Sequence, residues 1–321
     1  MVNRGSNKNM AIKNKKGIFF TTLVIVILSL FILTSTFYSQ VKERKSITKR
    51  VETLNNFVLS VEKDLPRQLK TTSFRIIFLL EKRIIETGAY VTNLNAVFDE
   101  MFSNATINGE TNTEIQTLME GATIPEIEAT LKQKAEKINA DLMFQDIKIS
   151  LNQVDPWNIE TTFDSNLTIV DKSDLVLWNK SLSIKILTPI EDFEDPLYLI
   201  NTNALVTNKM IQTPDQNFVT GTDISVLFSH SQNSYYVTST TAPNFLNRLE
   251  GTISADQNGI ESLVNLQKLS SQGISAQDKS VVDYIYFDSS NNPPACNVLP
   301  SGMPSWFKLD NAHLTKYEVT C

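Results

Sequence analysis

The chain has 321 residues, with two cysteines, two histidines and a formal net charge of −6 at pH 7. Two cysteines cannot build a four-ligand zinc site, and His230 and His313 lie too far apart in the sequence to suggest a histidine-rich metal site or catalyst. The acidic balance argues against nucleic acid as a partner, because phosphate binding needs clustered lysine and arginine.

The N-terminus joins a basic segment to a long apolar run. Residues 1–17 contain five lysine or arginine residues and no acid. The run Ile18–Phe37 has 20 residues without a charge, and a helix of that length spans about 30 Å, the thickness of bilayer hydrocarbon. A cleaved secretory signal is the alternative, but its apolar region is usually roughly 7–15 residues long. We therefore predict a leader over 1–17 and a retained transmembrane helix over 18–39.

The charge distribution predicts the orientation of this helix. A basic leader favours a cytoplasmic N-terminus under the positive-inside rule, although the opposite flank is also basic. Because residues 1–17 carry +5 and residues 18–50 carry +4, residues 51–321 carry −15. An acidic soluble region suits an extracellular location, and no second apolar run of 18 residues follows. We expect a single-pass protein of the cell membrane with the lipid bilayer as a partner.

Beyond the apolar run, hydrophobic residues recur in a heptad pattern. They fall at alternating spacings of four and three, at Ile47, Val51, Leu54, Val58, Val61 and Leu65. This spacing predicts an amphipathic stalk helix that ends at Pro66. The stripe could pack either on the chain's own globular part or on neighbouring copies, in which case it is an assembly seam. Periodicity leaves both alternatives open.

The region over 40–143 is predicted to be a helical stalk followed by further helices. Apolar residues keep helical spacing over 67–103, with Gly88 as the interruption. Thr123 and Glu126 match a capping box, with Pro125 in the first turn of the helix that they begin.

At Phe144 the hydrophobic period changes from 3.6 to 2. Three alternating runs, separated by turn residues, predict an antiparallel meander. Further expectations are a strand after Pro196, strands at Phe218–Phe228 and Tyr235–Thr238, short helices over 244–251 and 259–269, a strand over 280–287, and a strand followed by a helix that begins at Asp310. The whole is an α+β fold, with a single N-terminal transmembrane helix, a helical region and a β-rich ectodomain over 144–321.

The two cysteines suggest a C-terminal cystine loop. A disulfide between Cys296 and Cys321 would hold the tail and would require an oxidising compartment; two unpaired buried thiols are the alternative. Three Asn-x-Ser/Thr sequons, at Asn104, Asn166 and Asn179, are candidate glycosylation sites.

We predict no catalytic residue, no cofactor and no metal site. The chain has no Gly-x-Ser-x-Gly elbow, phosphate loop or dinucleotide fingerprint. Acidic groups at 191–195 and 256–261 are weak calcium candidates, but neither has the ligand spacing of an EF-hand. Asp310 is interpreted as a helix cap and His313 as incidental.

The basic leader ending in Lys15, Lys16 and Gly17, the unbroken apolar helix and its amphipathic continuation together resemble type IV pilins, particularly archaeal ones. In that family a membrane peptidase cuts after the glycine, and the apolar segment remains. The resemblance implies processing at Lys15-Lys16-Gly17, with Ile18 as the first mature residue. It also implies that the apolar helices pack in the centre of a filament. A cystine near the C-terminus is similar to the disulfide-bounded loop of many bacterial pilins.

The expected function is that of a non-enzymatic, membrane-anchored extracellular structural protein. In this interpretation the chain is a pilin-like or minor filament subunit, whose partners are copies of itself or other pilin-like subunits. The alternative is a single-pass surface ectodomain for adhesion, envelope structure or ligand binding. An extracellular enzyme is the third and least favoured class.

Overall fold

A single helix of 78 residues, α1 (Met10–Thr87), opens the computed structural model, which describes residues 10–173, 175–298 and 300–321. At about 1.5 Å per residue this helix is about 117 Å long. Every side chain from Gly17 to Ser46 is exposed, whereas one face is buried from Leu54 onward. The predicted helix over 18–39 is confirmed, and its length and apolar composition are sufficient to cross a membrane. Residues 54–321 are called the head below.

Pro66 does not end α1, so the predicted helix boundary at this residue is wrong. A proline inside a helix lacks the N–H for one hydrogen bond and costs roughly 3 kcal/mol. However, Leu65 and Leu69 are buried on either side of it, and burial continues to Ile84. Because each fully buried leucine or isoleucine contributes roughly 1.5–3 kcal/mol, packing against the rest of the head outweighs the cost of the proline.

The helical break predicted at Gly88 is present. Gly88 has a φ of +63° and donates its N–H to the carbonyl oxygen of Ile84 at 2.8 Å, which closes the end of α1. Three helices follow, α2 (Leu94–Asn104), α3 (Thr113–Met119) and α4 (Ile124–Glu136). The capping box of Thr123 and Glu126 is confirmed at the start of α4.

The predicted antiparallel meander is confirmed as a three-stranded sheet of β1 (Ala140–Asp155), β2 (Asn158–Asp171) and β3 (Leu177–Pro189), with β2 in the centre. The sheet begins four residues before Phe144. Side chains along β2 alternate between buried and half-buried, as expected when one face of a sheet is covered. Helix α1 lies against β3, and α2 and α4 lie against β1, so the core lies between the helices and this face.

After β3 the chain forms short elements. These are α5 (Pro196–Asn201), α6 (Ser225–Asn233), β4 (Tyr236–Thr238), α7 (Phe245–Leu249), β5 (Ile260–Ser262), α8 (Leu266–Ser271), α9 (Asp283–Tyr286), β6 (Ala295–Asn297), β7 (Lys308–Asp310) and α10 (Asn311–Leu314). Strand β4 pairs with β5 and β6 pairs with β7, both antiparallel. The coarse order of helices first and antiparallel strands later is therefore confirmed.

Three of the predicted strands in this part are wrong. The segment after Pro196 is helix α5, the segment over 218–228 leads into helix α6, and the segment over 280–287 contains helix α9. The 259–269 segment is a helix only in its second half, since β5 occupies its start. Short apolar runs do not distinguish a strand from a buried helical turn, and only α5 among these three helices has a side-chain cap at its N-cap residue. Asp195 accepts the N–H of Leu197 at 2.8 Å.

Other local predictions hold. Asn244 caps α7 by accepting the N–H of Asn247 at 2.8 Å, and Asp310 caps α10 by accepting the N–H of Ala312 at 3.1 Å. Cys296 in β6 and Cys321 form a disulfide, with 6.0 Å between their Cα atoms. The cystine loop therefore encloses β7 and α10.

Candidate functional site

The head buries most of the predicted assembly seam in its own core. Leu54, Val58, Val61 and Leu65 are at most 2% exposed, whereas Ile47 is half-buried and Val51 is 39% exposed. Of the two alternatives left open by the heptad pattern, the structure therefore shows packing within the chain for these four residues. Their assignment to an intermolecular seam does not hold, because a side chain in the core has no surface to offer a second copy.

The predicted processing residues lie near the N-terminal end of α1, where Gly17 and Ile18 are exposed. Lys15, Lys16, Gly17 and Ile18 are all within the helix, while residues 1–9 of the leader and the side chains of residues 10–16 lie outside the described residues. A Cβ atom added at Gly17 would meet no atom within 4 Å. Gly17 is therefore not required by packing.

The three sequons differ in accessibility. Asn104 is the last residue of α2 and Asn179 lies on β3, and both are exposed. Asn166 lies on the central strand β2, is half-buried, and donates its amide N–H to Asp146 Oδ2 at 3.0 Å. Asn104 and Asn179 are thus better placed for modification than Asn166.

A cleft of about 910 Å³ opens in the C-terminal part of the head. Its walls come from residues 238–241, which include the last residue of β4 and the loop after it, and from α9 and α10. Residues 253, 257, 291 and 293 complete this part of the lining. Ligand sites typically occupy about 300–1,000 Å³, so this cleft is large enough for a small molecule.

One wall of the cleft is a hydroxyl loop, Thr238-Ser239-Thr240-Thr241. The three threonines are exposed and Ser239 is buried. The N–H of Ser239 donates to the carbonyl oxygen of Gly259 at 2.8 Å. A Cβ at Gly259 would lie 2.0 Å from the carbonyl oxygen of Ala242, so only glycine permits this close approach of the two backbones. These backbone contacts with Gly259 therefore fix the position of the hydroxyl loop.

Another part of the lining belongs to a cluster of four charged side chains, of which Asp310, His313 and Lys316 line the cleft and Glu261 is buried beneath them. His313 Nδ1 donates to Asp310 Oδ1 at 2.8 Å, and His313 Nε2 lies 3.4 Å from Glu261 Oε2. Lys316 Nζ lies 2.9 Å from Glu261 Oε1. The hydroxyl of Tyr284 lies 3.2 Å from His313 Nε2 and joins the cluster to the hydroxyl loop, through Thr241 Oγ1 at 3.4 Å. The two parts of the lining thus form one hydrogen-bonded network.

The two carboxylates hold His313 in its charged form. Burial alone would lower the pKa of His313, but the hydrogen bonds to Asp310 and the nearby negative charge of Glu261 outweigh it and raise that pKa to about 9. Burial would likewise raise the pKa of Glu261, but His313 and Lys316 lower it to about 2. At neutral pH both ring nitrogens of His313 carry protons, so the ring donates hydrogen bonds and does not act as a general base. The arrangement suits recognition of a ligand rather than proton abstraction.

A second charged group is closed off from solvent. Arg248 Nη1 lies 2.6 Å from Asp195 Oδ2 and 3.0 Å from Asp283 Oδ2, and all three side chains are fully buried. Tyr236 donates its hydroxyl to Asp195 at 2.7 Å. This network joins α5, α7 and α9 in the interior and offers no surface to a ligand.

The two candidate calcium groups do not converge. Asp195 points inward to Arg248, while Glu191 and Asp192 are exposed. In the second group Asp256 accepts the N–H of Asn258 at 2.7 Å, whereas Glu261 binds His313 and Lys316. Within the described ranges, no three histidine, cysteine, aspartate or glutamate side chains are arranged to hold a metal ion.

Of the charged residues at the cleft, Asp310 was predicted correctly and His313 was not. The cap role of Asp310 is correct, but His313, interpreted as incidental, is bonded to it three residues later. The three-residue spacing of Asp310 and His313 on a short helix could have indicated their contact. No sequence pattern indicates the contacts of Glu261 and the hydroxyl loop with this cluster, because these residues meet only through tertiary contacts.

Comparisons of the chain with protein-family models, with curated proteins and with solved structures find no significant match.

Proposed function

We propose that this chain is a membrane-anchored, pilin-like structural subunit with its head outside the cell. The observation that carries the proposal is the continuity of α1. Its apolar part, Ile18–Phe37, is exposed on all sides, while its later part provides core residues of the head. Such an apolar surface is unfavourable in water, and either lipid or the same helices of neighbouring copies would cover it.

Stiffness of the connection also supports a subunit. From Phe37 to Leu54 the chain is continuous helix, about 25 Å long and without glycine or proline, and it is exposed as far as Ser46. A surface module tethered only for binding has no need of a rigid connection, whereas a subunit must hold its head at a fixed position relative to its packed helix. The acidic head and the disulfide Cys296–Cys321 favour an extracellular location.

The test is the intact mass and N-terminal residue of the protein extracted from membranes of its native host, with electron microscopy of sheared surface material. A mature chain that begins at Ile18, together with filaments containing it, is the expected result. A chain that keeps residues 1–17 would contradict processing, and a start near Ser39 or Gln40 would contradict the retained membrane helix.

The variant Gly17→Leu tests the processing step directly. Because no atom lies near a Cβ at this position, the substitution leaves the fold intact and changes only what a peptidase meets. We expect an unprocessed, membrane-inserted chain and no filaments. Asn14→Leu, outside the proposed cleavage site, is the matched control and should be processed normally.

A second candidate function is ligand binding by the head, either for adhesion or as part of an anchored surface module. The large cleft bounded by the hydroxyl loop and the charged cluster favours it. This function is compatible with a filament subunit, because the cleft lies in the C-terminal part of the head and away from the apolar part of α1.

A further inference from the structure

The electrostatics of the cleft restrict the ligands that it can take. His313 is paired with Asp310 and Glu261, and Lys316 is paired with Glu261. With His313 protonated, two positive charges face two negative charges, and the cluster has no net charge. An anionic ligand would have to compete with carboxylates already in place, and a cationic ligand with Lys316 and His313. The balance favours an uncharged ligand.

The accessible polar groups are of the kind that both donate and accept hydrogen bonds. Thr238, Thr240 and Thr241 present exposed hydroxyls, and Gln257 and Asn291 present exposed carboxamides. A hydroxyl rotates to donate one hydrogen bond and accept others, and a carboxamide carries both functions. Such groups match a ligand that is itself rich in hydroxyls.

The remaining lining is apolar. Ile253, Ile285 and Pro293 line the cleft between the polar groups. Small apolar patches among hydroxyls complement the C–H faces of sugar rings, which lie between the ring hydroxyls. A purely apolar ligand would instead leave the polar groups around it without partners.

Part of the polar lining is also held in place by backbone contacts, which lowers the entropic cost of binding. The close backbone contact between Gly259 and Ala242 fixes the position of the hydroxyl loop. In addition, the N–H of Asp256 donates to the carbonyl oxygen of Ala242 at 3.0 Å. On the other side, the cystine loop encloses the helix that carries His313.

We propose that the cleft between the hydroxyl loop and the His313–Glu261 cluster binds an uncharged oligosaccharide. The proposal concerns the head alone and does not depend on whether the chain is processed or assembles.

The test is isothermal titration calorimetry of the full chain in a detergent without a sugar headgroup, such as lauryldimethylamine oxide. The probes are cello-, malto-, manno- and N-acetylated chito-oligosaccharides, with oligogalacturonate and inorganic sulfate as charged probes. We expect saturable binding of at least one neutral oligosaccharide below about 10 mM. No saturable binding of any neutral probe, or binding of the charged probes only, would overturn the proposal.

The location is tested with the double variant Thr240→Val/Gln257→Leu, which removes a hydroxyl and a carboxamide from exposed side chains without changing their size greatly. We expect the affinity for the oligosaccharide to fall at least about tenfold, or about 1.4 kcal/mol. Thr71→Val, on an exposed face of α1, is the matched control and should bind as the wild type. Unchanged affinity in the double variant would place the ligand elsewhere and refute the site. If the chain is processed and forms filaments but binds no sugar, the binding proposal fails while the proposed function stands.

Discussion

Arg248 and Asp195, 53 positions apart in the chain, form an ion pair in which both side chains are completely buried. The guanidinium also contacts Asp283, so that one cation is shared by two buried carboxylates. Neither partner is open to the cleft or to solvent. This arrangement connects three short helices, each of which also buries apolar side chains.

Removal of the arginine should be strongly destabilising. Arg248→Met leaves two buried carboxylates without a cation, and breaking a buried pair in this way costs about 3–5 kcal/mol. Denaturant unfolding of the full chain in detergent, followed by tryptophan fluorescence, measures this loss, since all three tryptophans lie in the head. Lys308→Met removes an exposed ion pair with Asp278 and should cost less than about 1 kcal/mol. Equal effects of the two variants would contradict the structural role of Arg248.

Two leucines on α1 separate core packing from assembly. Leu65 is 1% exposed and Leu59 is 54% exposed. Leu65→Ala should lower the free energy of unfolding by about 2–5 kcal/mol, because it removes buried methyl groups and leaves a cavity. Leu59→Ala should change it by less than about 0.5 kcal/mol. If Leu65→Ala unfolds like the wild type, the stripe is not packed within the chain.

Glu81 should make the head less stable as the pH rises. Burial, and next the negative charge of Glu194, raise the pKa of Glu81 to about 9 in the folded state, against 4.5 ordinarily. The stability contributed by its protonated form is complete below pH 4.5 and is lost between pH 4.5 and 9, at no more than about 1.4 kcal/mol per pH unit. Glu81→Gln cannot ionise, so it should be more stable than the wild type at pH 8, and the difference should vanish near pH 4.5. A wild type that is the more stable of the two at pH 8 would show that Glu81 has a partner for its charge.

His313 acts in an overlapping window and is best measured in the Glu81→Gln background. Its folded-state pKa of about 9 exceeds the ordinary 6.5. The stability that it contributes is therefore complete below pH 6.5 and is lost as the pH rises to 9. His313→Gln should remove this fall between pH 6.5 and 9. His230 does not interfere, because burial lowers its pKa to about 3 and its contribution is lost only as the pH falls below 6.5. An unchanged pH profile in His313→Gln would mean that the ring is neutral.

The cystine loop should stabilise the C-terminal part of the head. Cys296→Ser/Cys321→Ser opens a loop with a sequence separation of 25. The chain-entropy model gives a loss of about 3–4 kcal/mol for a loop of this size. Reductant should lower the stability of the wild type to that of the variant and should leave the variant unaffected. If reductant does not change the stability of the wild type, and the wild type and the variant are equally stable, the disulfide contributes nothing.

Local patterns in the sequence were sufficient for several features. Four predicted features are present: the helical apolar run Ile18–Phe37, the antiparallel meander with regular alternation along β2, the capping box at Thr123 and the break at Gly88. In β1 a bulge interrupts the alternation and leaves Ile147 exposed. Each of the four features depends on contacts between residues close in the chain or on a period that one face imposes. These features could be predicted because they depend on interactions between residues that are near each other in the sequence.

The tertiary structure determines which residues cover each hydrophobic face of these helices and strands. The heptad stripe showed that Leu54 and Leu65 share a face, but not that the head itself covers it. Pro66 remains within α1 because burial on either side of it outweighs the cost of the proline. The segment after Pro196 is helical because burial and the cap by Asp195 outweigh weak local preferences in an element too short to be stable alone. His313 and Glu261 meet across 52 positions of the chain. Periodicity reports which residues lie together on one surface, and only the folded chain determines what they contact.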